Sequence, residues 1–584
     1  MTALNQEQRR HDLDAMRNTT HDILVIGGGV TGAGVALDAA SRGLSTAIVE
    51  AQDWASGTSS RSSRLVHGGL RYLYQLDFKL VAEALHERSL LLTSLAPHLV
   101  HAQPFLWPLK MPVIERTYSA VGVGMYDALA VLGTRGRKTV PTQEHLSRRK
   151  TKEAFPAIDD NKLVGAIRFY DARVDDARLV ITLVRTACRF GAHAASRTEV
   201  VDMLREGDRV VGARVRDLET GDEFDVRARH VINATGVWTE KVQDLAAGKS
   251  GLKVLASKGS HIVVPRDRIK AEAGMFLRTE KSVLFIIPWQ RYWVIGTTDT
   301  AWHEQLKHPV PTRADIDYIL DHANEVLAEP LTHDDIIGTY AGLRPLLQPQ
   351  VLDETKSTKV SREHTVAEIA PGMTGIAGGK LTTYRVMASD AVDFALGKRA
   401  KELPSVTDRT PLLGADGYVA TVRNAGRLQE LYGWDEARTQ HLLDRYGSMI
   451  TDLTALIDTD PTLGQPLETA PDYLRAEVVL ACRDEGALHL EDILYSRIRL
   501  NTETRDRGGS AVDEIADLAA TWLDWDAERL AHEKENYRAR IAAELAAENE
   551  STDASASAVR LQAQDVIGDF DHTQNHSDGG SSPA

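Results

Sequence analysis

The chain has 584 residues, 43% of them apolar and 26% charged, with a net charge of −15. These totals are those of a soluble globular protein of two or three domains, and the acidic balance argues against broad nucleic-acid binding. Cys188 and Cys482 are the two cysteines. Two isolated thiols exclude a cysteine-rich metal site or a disulfide framework and fit a reducing cytosol, and no metal centre is expected.

Residues 1–20 read as a short polar extension, with none of the apolar run of a secretory signal. No apolar stretch approaches the roughly 20 residues of a membrane-spanning helix. The segment "HDILVIGGGVTGAGVALDAASRGLSTAIVE" then reads as strand, glycine turn, helix and strand. Ile23–Ile26 predict the first strand, Val30–Arg42 the helix with Gly43 as its cap, and Ser45–Val49 the second strand.

Gly27, Gly29 and Gly32 form G-x-G-x-x-G, and Glu50 ends the second strand 18 residues past Gly32. In this βαβ setting the first glycine permits the turn, and the second lets a pyrophosphate approach the backbone. The third lets helix and strand pack closely. Helix N–H groups and the helix dipole then hold phosphate, while Glu50 accepts from ribose hydroxyls.

The fingerprint serves NAD and FAD alike. "NATG" at 233–236, carrying Ala234 and Gly236, and the glycine turn "GIAGGKLTTYR" at 375–385, carrying Gly379, Leu381 and Thr382, favour FAD. FAD spans a domain and needs such distant segments. With one complete fingerprint and no paired cysteines, a second NAD(P)H site is not expected.

Farther along, residues 77–99 predict an amphipathic helix, residues 195–235 strands with charged turns, and residues 258–300 a strand-rich region. Residues 415–548 predict a helical domain. From 549 onward Ser, Asp, Gln and Gly dominate, which predicts a disordered tail.

The stretch "VIGGGVTGAGVALDAASRGLSTAIVEAQDWASGTSSRSSRLVHGGLRYL" closely resembles the start of the FAD-dependent glycerol-3-phosphate dehydrogenases. "KGSHIVVP" (258–265), "IGTTDT" (295–300), "AGLRPL" (341–346) and "GGKLTTYR" (378–385) resemble further blocks of that family in the same order.

The resemblance covers roughly residues 20–540. It implies an α/β fold: a glutathione-reductase-like, Rossmann-type FAD domain (about 21–95, 160–257 and 360–400) and an antiparallel-sheet substrate domain (about 96–159 and 258–359). A helical C-terminal domain (401–548) follows. It implies oxidation of sn-glycerol 3-phosphate to dihydroxyacetone phosphate by hydride transfer to FAD. Electrons then pass to membrane quinone or, in related oxidases, to oxygen.

Such chemistry needs a phosphate grip, a proton acceptor and a hydride aimed at flavin. Arg71 and Arg344 are the candidate phosphate ligands, because a guanidinium fork binds two oxygens. Tyr72 donates to the phosphate or shapes the wall, and Lys380 stabilises negative charge on the substrate oxygen or beside the flavin. His261 and His67 are candidate bases. His261 is favoured because an alternating strand presents it to one face of the substrate domain, and His67 is assigned beside the flavin with Gly69. Thr58, Ser59, Ser60 and Ser62 are expected to donate to FAD.

The segment 104–138 combines Leu, Trp, Met and Val with Lys110, Arg116, Arg135, Arg137 and Lys138. It suits either monotopic membrane contact or ordinary packing. The resulting expectation is a cytoplasmic protein, peripheral on the inner face of the plasma membrane, with a homodimer as its assembly. An amino-acid oxidase and a non-catalytic flavoprotein sensor or scaffold remain as alternatives.

Overall fold

The structure, a computed structural model, describes residues 3–69, 78–109, 140–159, 161, 163–247, 251–279, 283–347 and 364–567. The N-terminal extension is helical. Helix α1 (Gln6–Asn18) is capped by Asn5, whose side chain accepts from the Gln8 N–H, and buries Asp12, Leu13 and Met16. Strand β1 (His21–Ile26), helix α2 (Val30–Ser41) and strand β2 (Thr46–Val49) follow as the sequence pattern requires.

β1 and β2 pair in parallel, and β1 also pairs in parallel with Glu223–Asn233, placing Val25 opposite Ile48 and Ile232. Strands Met373–Gly378 and His193–Ala195 extend this sheet on its two sides. Alternate side chains of β1 feed two cores. Ile23 and Val25 pack with α2 and the helices Asp176–Arg189 and Tyr384–Leu396. Leu24 and Ile26 pack on the other face with Leu13, Met16, Val231 and Met373.

A second, ten-stranded sheet is antiparallel except where Gly274–Arg278 runs parallel to Val100–Leu109. Its strand Val254–Pro265 pairs with both Tyr292–Gly296 and Gly338–Leu347, which brings the KGSHIVVP, IGTTDT and AGLRPL blocks side by side. Strand Gly165–Val174, assigned from sequence to the cofactor domain, lies inside this second sheet. Its ladder with Val100–Leu109 decides its membership, and the periodicity of an apolar run carries no such information.

The C-terminal part is helical and is bound to the cofactor domain by buried ion pairs. Arg178 binds Glu485 in two-pronged fashion at 2.6 and 2.9 Å, Arg197 holds Asp492 at 2.6 Å, and Arg497 pairs with Asp53. Arg499 pairs with Asp175 at 2.8 Å and with Asp176. Removing one member of such a pair leaves a buried charge, at a cost of about 3–5 kcal/mol.

One further expectation changes. Residues 549–567, read from composition as the start of a disordered tail, are ordered. A helix at Asp553–Arg560 is capped by Thr552 and packs Ala556 against Val310 and Ala547. A short apolar face and ionic partners hold what the polar composition concealed. Within the segment 104–138, open from sequence between membrane contact and ordinary packing, Phe105, Leu106, Trp107 and Leu109 are buried strand residues in the second sheet. Residues 110–138 lie outside the described residues. Among the described residues no helix is long and apolar enough to cross a membrane.

Candidate active site

The glycine turn is built by contact. Gly27 has φ +109°, and a Cβ there would lie 2.8 Å from the Ala234 carbonyl oxygen. A Cβ on Gly32 would overlap the Gly27 carbonyl, so the third glycine is required by packing within the turn itself. Gly29 is the N-cap of α2 and offers no side-chain oxygen to its N–H groups. Ser59 Oγ accepts from the Val30 N–H at 2.9 Å instead, which leaves its own hydroxyl hydrogen to donate.

Around this turn lies one cleft. Its lining includes Gly27, Gly29, Glu50, Thr58, Ser59, Ala234, Gly236, Gly379, Lys380 and Leu381, each expected from the sequence. Glu50 is anchored by the Gly28 N–H at 2.6 Å and the Gln52 N–H at 2.8 Å, and burial pushes its carboxyl pKa up. A helix start with glycine as its N-cap, a hydroxyl run and an anchored carboxylate on one cleft fit a dinucleotide such as FAD.

Other expected residues stand behind the cleft. Ser60 gives its carbonyl to Arg499 at 2.8 Å, and Ser62 Oγ donates to Asp176 at 2.7 Å. His67 and Thr382 clasp each other: the His67 N–H donates to Thr382 Oγ1 at 3.0 Å, and that hydroxyl donates to the His67 carbonyl at 3.2 Å. His67 Nδ1 accepts from the Gly69 N–H at 3.2 Å. His67 thereby links the HGG turn to the GGKLTTYR turn. Arg71 and Tyr72 lie outside the described residues.

His261 and Arg344 come from neighbouring strands. Arg344 donates to Thr297 Oγ1 and to the Thr298 carbonyl, both at 3.0 Å, and its side chain remains 32% exposed. His261 is buried, stacked on Tyr340 with ring centroids 4.6 Å apart, and has Nε2 2.9 Å from Ser63 Oγ. Burial, then the positive charges of Arg344 and Arg64, hold its pKa well below the usual 6.5. Thr58 Oγ1 donates to the Leu343 carbonyl at 2.6 Å, fastening the hydroxyl run to the strand that carries Arg344. Lys380 starts the turn into the helix Tyr384–Leu396, and its Nζ is shielded from solvent.

Sequence reasoning missed Gln52, Trp238, Lys241 and Lys307, which also line the cleft. Trp238 stands two residues past NATG and was within reach of the motif. Lys307 belongs to no motif, and only the fold brings it here.

A model for FAD-dependent oxidoreductases matches residues 22–385, and one for the C-terminal domain of alpha-glycerophosphate oxidase matches residues 405–530. The glycerol-3-phosphate dehydrogenase 2 of Mycobacterium tuberculosis is 51% identical over 565 residues, 97% of this chain and 95% of that protein. The chain belongs to the FAD-dependent glycerol-3-phosphate dehydrogenase family.

FAD is its cofactor. The human mitochondrial glycerol-3-phosphate dehydrogenase is 37% identical over 89% of this chain and 73% of its own length. The FAD-complexed glycerol-3-phosphate dehydrogenase of Bacillus halodurans superposes with a TM-score of 0.74 at 27% identity, covering 93% of this chain and 98% of that one. An FAD-bound L-alpha-glycerophosphate oxidase from Mycoplasma pneumoniae shares the fold at 18% identity and a TM-score of 0.51, over 65% of this chain and 95% of its own.

One further group among the described residues places ligating atoms within reach of a metal ion: His11, Asp12 and His193. It lies where α1 meets the edge strand His193–Ala195, apart from the residues lining the cleft. There Asp12 already bonds His193 Nδ1 at 3.0 Å and the Ala194 N–H at 3.1 Å.

Proposed function

We propose that the protein oxidises sn-glycerol 3-phosphate to dihydroxyacetone phosphate and passes the electrons to a membrane quinone, working as a peripheral protein at the membrane surface. The observation that carries the reading is the pairing, on adjacent strands, of a partly exposed arginine with an uncharged histidine: Arg344 faces Ser257 and His261 faces Tyr340 in one antiparallel register. Near-full-length relatives named glycerol-3-phosphate dehydrogenase support the same substrate.

The roles follow from charge. Arg344 binds the phosphate dianion through its fork, with its orientation set by Thr297 and Thr298. Arg71 and Tyr72 join it in that role. His261 enters uncharged, with a lone pair ready to take the C2 hydroxyl proton. Lys380 stabilises the negative charge that builds on the substrate oxygen as that proton leaves. Bound FAD supplies the two-electron acceptor for the C2 hydride. Gly27, Gly29, Glu50, Thr58 and Ser59, which line the cleft, would hold that cofactor.

Anaerobic addition of glycerol 3-phosphate to the yellow protein tests the reading. Loss of the flavin band, followed by its return with quinone but not with oxygen, is the expected result. A band that never bleaches overturns the substrate. A band that oxygen alone restores, with hydrogen peroxide formed, makes the enzyme an oxidase.

A further inference from the structure

Residues 553–565 reach back from the helical domain to the edge of the cofactor cleft. Asp553 pairs with Lys258, which also binds Asp315 at 2.5 Å, and the Arg313 N–H donates to the Glu550 carbonyl at 2.9 Å. Asn536 and His532 hold the carbonyls of Gln564 and Val566 at 3.0 and 3.1 Å, so the end of this segment is fixed.

Asp565 then stands against the turn Lys307–His308. Its Oδ1 is 2.6 Å from His308 Nε2, and its Oδ2 is 3.4 Å from Lys307 Nζ. The turn needs support: His308 has φ +49°, a left-handed conformation that costs a non-glycine residue roughly 1 kcal/mol or more. Val310, two residues on, packs against Ala556 of the same segment.

Lys307 also borders the cleft. It lines the cleft with Gln52, Ser56, Gly57 and Thr58, and it lines a small recess behind them with Arg61, His308 and Leu343. Only 5% of its side chain meets solvent. The groups beside it are the hydroxyl run and the approach to the α2 N-terminus, the part of the cleft built to receive anionic oxygens. Of the other charged side chains on the cleft, Lys241 is 3.6 Å from Glu199, Glu50 is committed to the backbone N–H groups of Gly28 and Gln52, and Lys380 belongs to the separate turn that opens the helix Tyr384–Leu396.

We propose that Lys307 binds the diphosphate of FAD and that Asp565, carried by the segment 553–565, is the positioning residue that aims it. This rests on the cleft being the FAD site. The lysine then bridges two anions, one from the far end of the chain and one from the cofactor, and the ordered C-terminal segment becomes part of the cofactor site.

Binding of FAD and of riboflavin to the full-length apoprotein, read from flavin fluorescence, tests the proposal on Lys307→Met, Asp565→Asn, Asp565→Glu and the Lys307→Met/Asp565→Asn double variant. Riboflavin lacks the diphosphate and isolates that contact. Lys307→Met is expected to weaken FAD about tenfold and to leave riboflavin unchanged, the loss of one charge-assisted contact. Asp565→Asn should weaken FAD less, Asp565→Glu should recover the affinity, and the double variant should match Lys307→Met alone.

Unchanged FAD affinity in Lys307→Met, or equal weakening of FAD and riboflavin, overturns the proposal. Gly29→Val separates this from the site reading: full FAD binding in that variant removes the cleft as the cofactor site, whereas its loss beside an indifferent Lys307→Met sinks the lysine's role alone.

Discussion

Ser63 Oγ lies 2.9 Å from His261 Nε2, joining the segment after β2 to the second sheet. The contact holds the histidine ring at its Nε2 edge while Tyr340 stacks on its face, and it ties the proposed base to the segment after β2. His261→Asn is expected to lower kcat roughly 10²–10⁴-fold, the range for loss of a general base, while FAD stays bound. Because burial, Arg344 and Arg64 hold the ring's pKa well below 6.5, it is uncharged across the neutral range. The pH profile of kcat/KM should therefore show no histidine limb between about pH 6 and 8. A limb centred near 6.5 that vanishes in His261→Asn would contradict the buried, uncharged ring.

Arg344→Ala should raise KM for glycerol 3-phosphate by roughly ten- to a hundredfold, since a charge-assisted contact contributes about 1.5–3 kcal/mol. FAD content should be unaffected, because Arg344 does not line the cofactor cleft. Arg344→Lys should recover only part of the loss, as an ammonium cannot bind two oxygens in one plane. Steady-state kinetics with a flavin count per chain checks both statements.

The glycines differ in what they tolerate. Gly32→Ala drives a methyl into the Gly27 carbonyl, with no flexible side chain to yield. It should abolish FAD retention or prevent folding. Gly43 has φ +82° but open space around it, so Gly43→Ala should cost only about 1 kcal/mol and leave the flavin bound. Thermal melts and the flavin spectrum of the two variants make the comparison.

His489 lies between Glu219, on the cofactor-domain side, at 2.7 Å and Glu533 at 2.9 Å. Burial and Arg197 oppose its charge, but the hydrogen bonds to the two glutamates prevail and raise its pKa to about 9. A folded pKa above the unfolded 6.5 contributes stability that is complete below about pH 6.5 and lost as pH rises through 9. The gain is on the order of 3 kcal/mol. Denaturant melts of the wild type should weaken between pH 7 and 9.5, and His489→Gln should flatten that slope.

The cofactor half was legible because its signals are local. Gly27, Gly29, Gly32 and Glu50 act within one βαβ unit, where the chain's own sterics dictate residue type, and all but Gly32 reach the cleft surface. Gly32 works beneath it. The alignment of His261 with Arg344 was legible in kind but not in geometry, since strand pairing across some 80 residues leaves no mark in either block. Lys307 was not legible at all. Nothing near "EQLKHPVP" announces an anion site, and its partner Asp565 lies in a stretch whose composition reads as disordered. Gly165–Val174 shows the same limit: its apolar pattern declares a strand, and only hydrogen bonding to Val100–Leu109 decides the sheet.

The buried pair between Asp53 and Arg497 joins residues 444 positions apart, at the end of the first βαβ unit and in the helical domain. On a ribosome the nucleotide-binding turn emerges early, but its buried carboxylates wait for arginines synthesised hundreds of residues later. Vectorial synthesis therefore cannot complete this half of the molecule in order of appearance. β1 likewise gains its second sheet neighbour only with Glu223–Asn233, so the completed cofactor half has to wait for segments made long after its glycine turn.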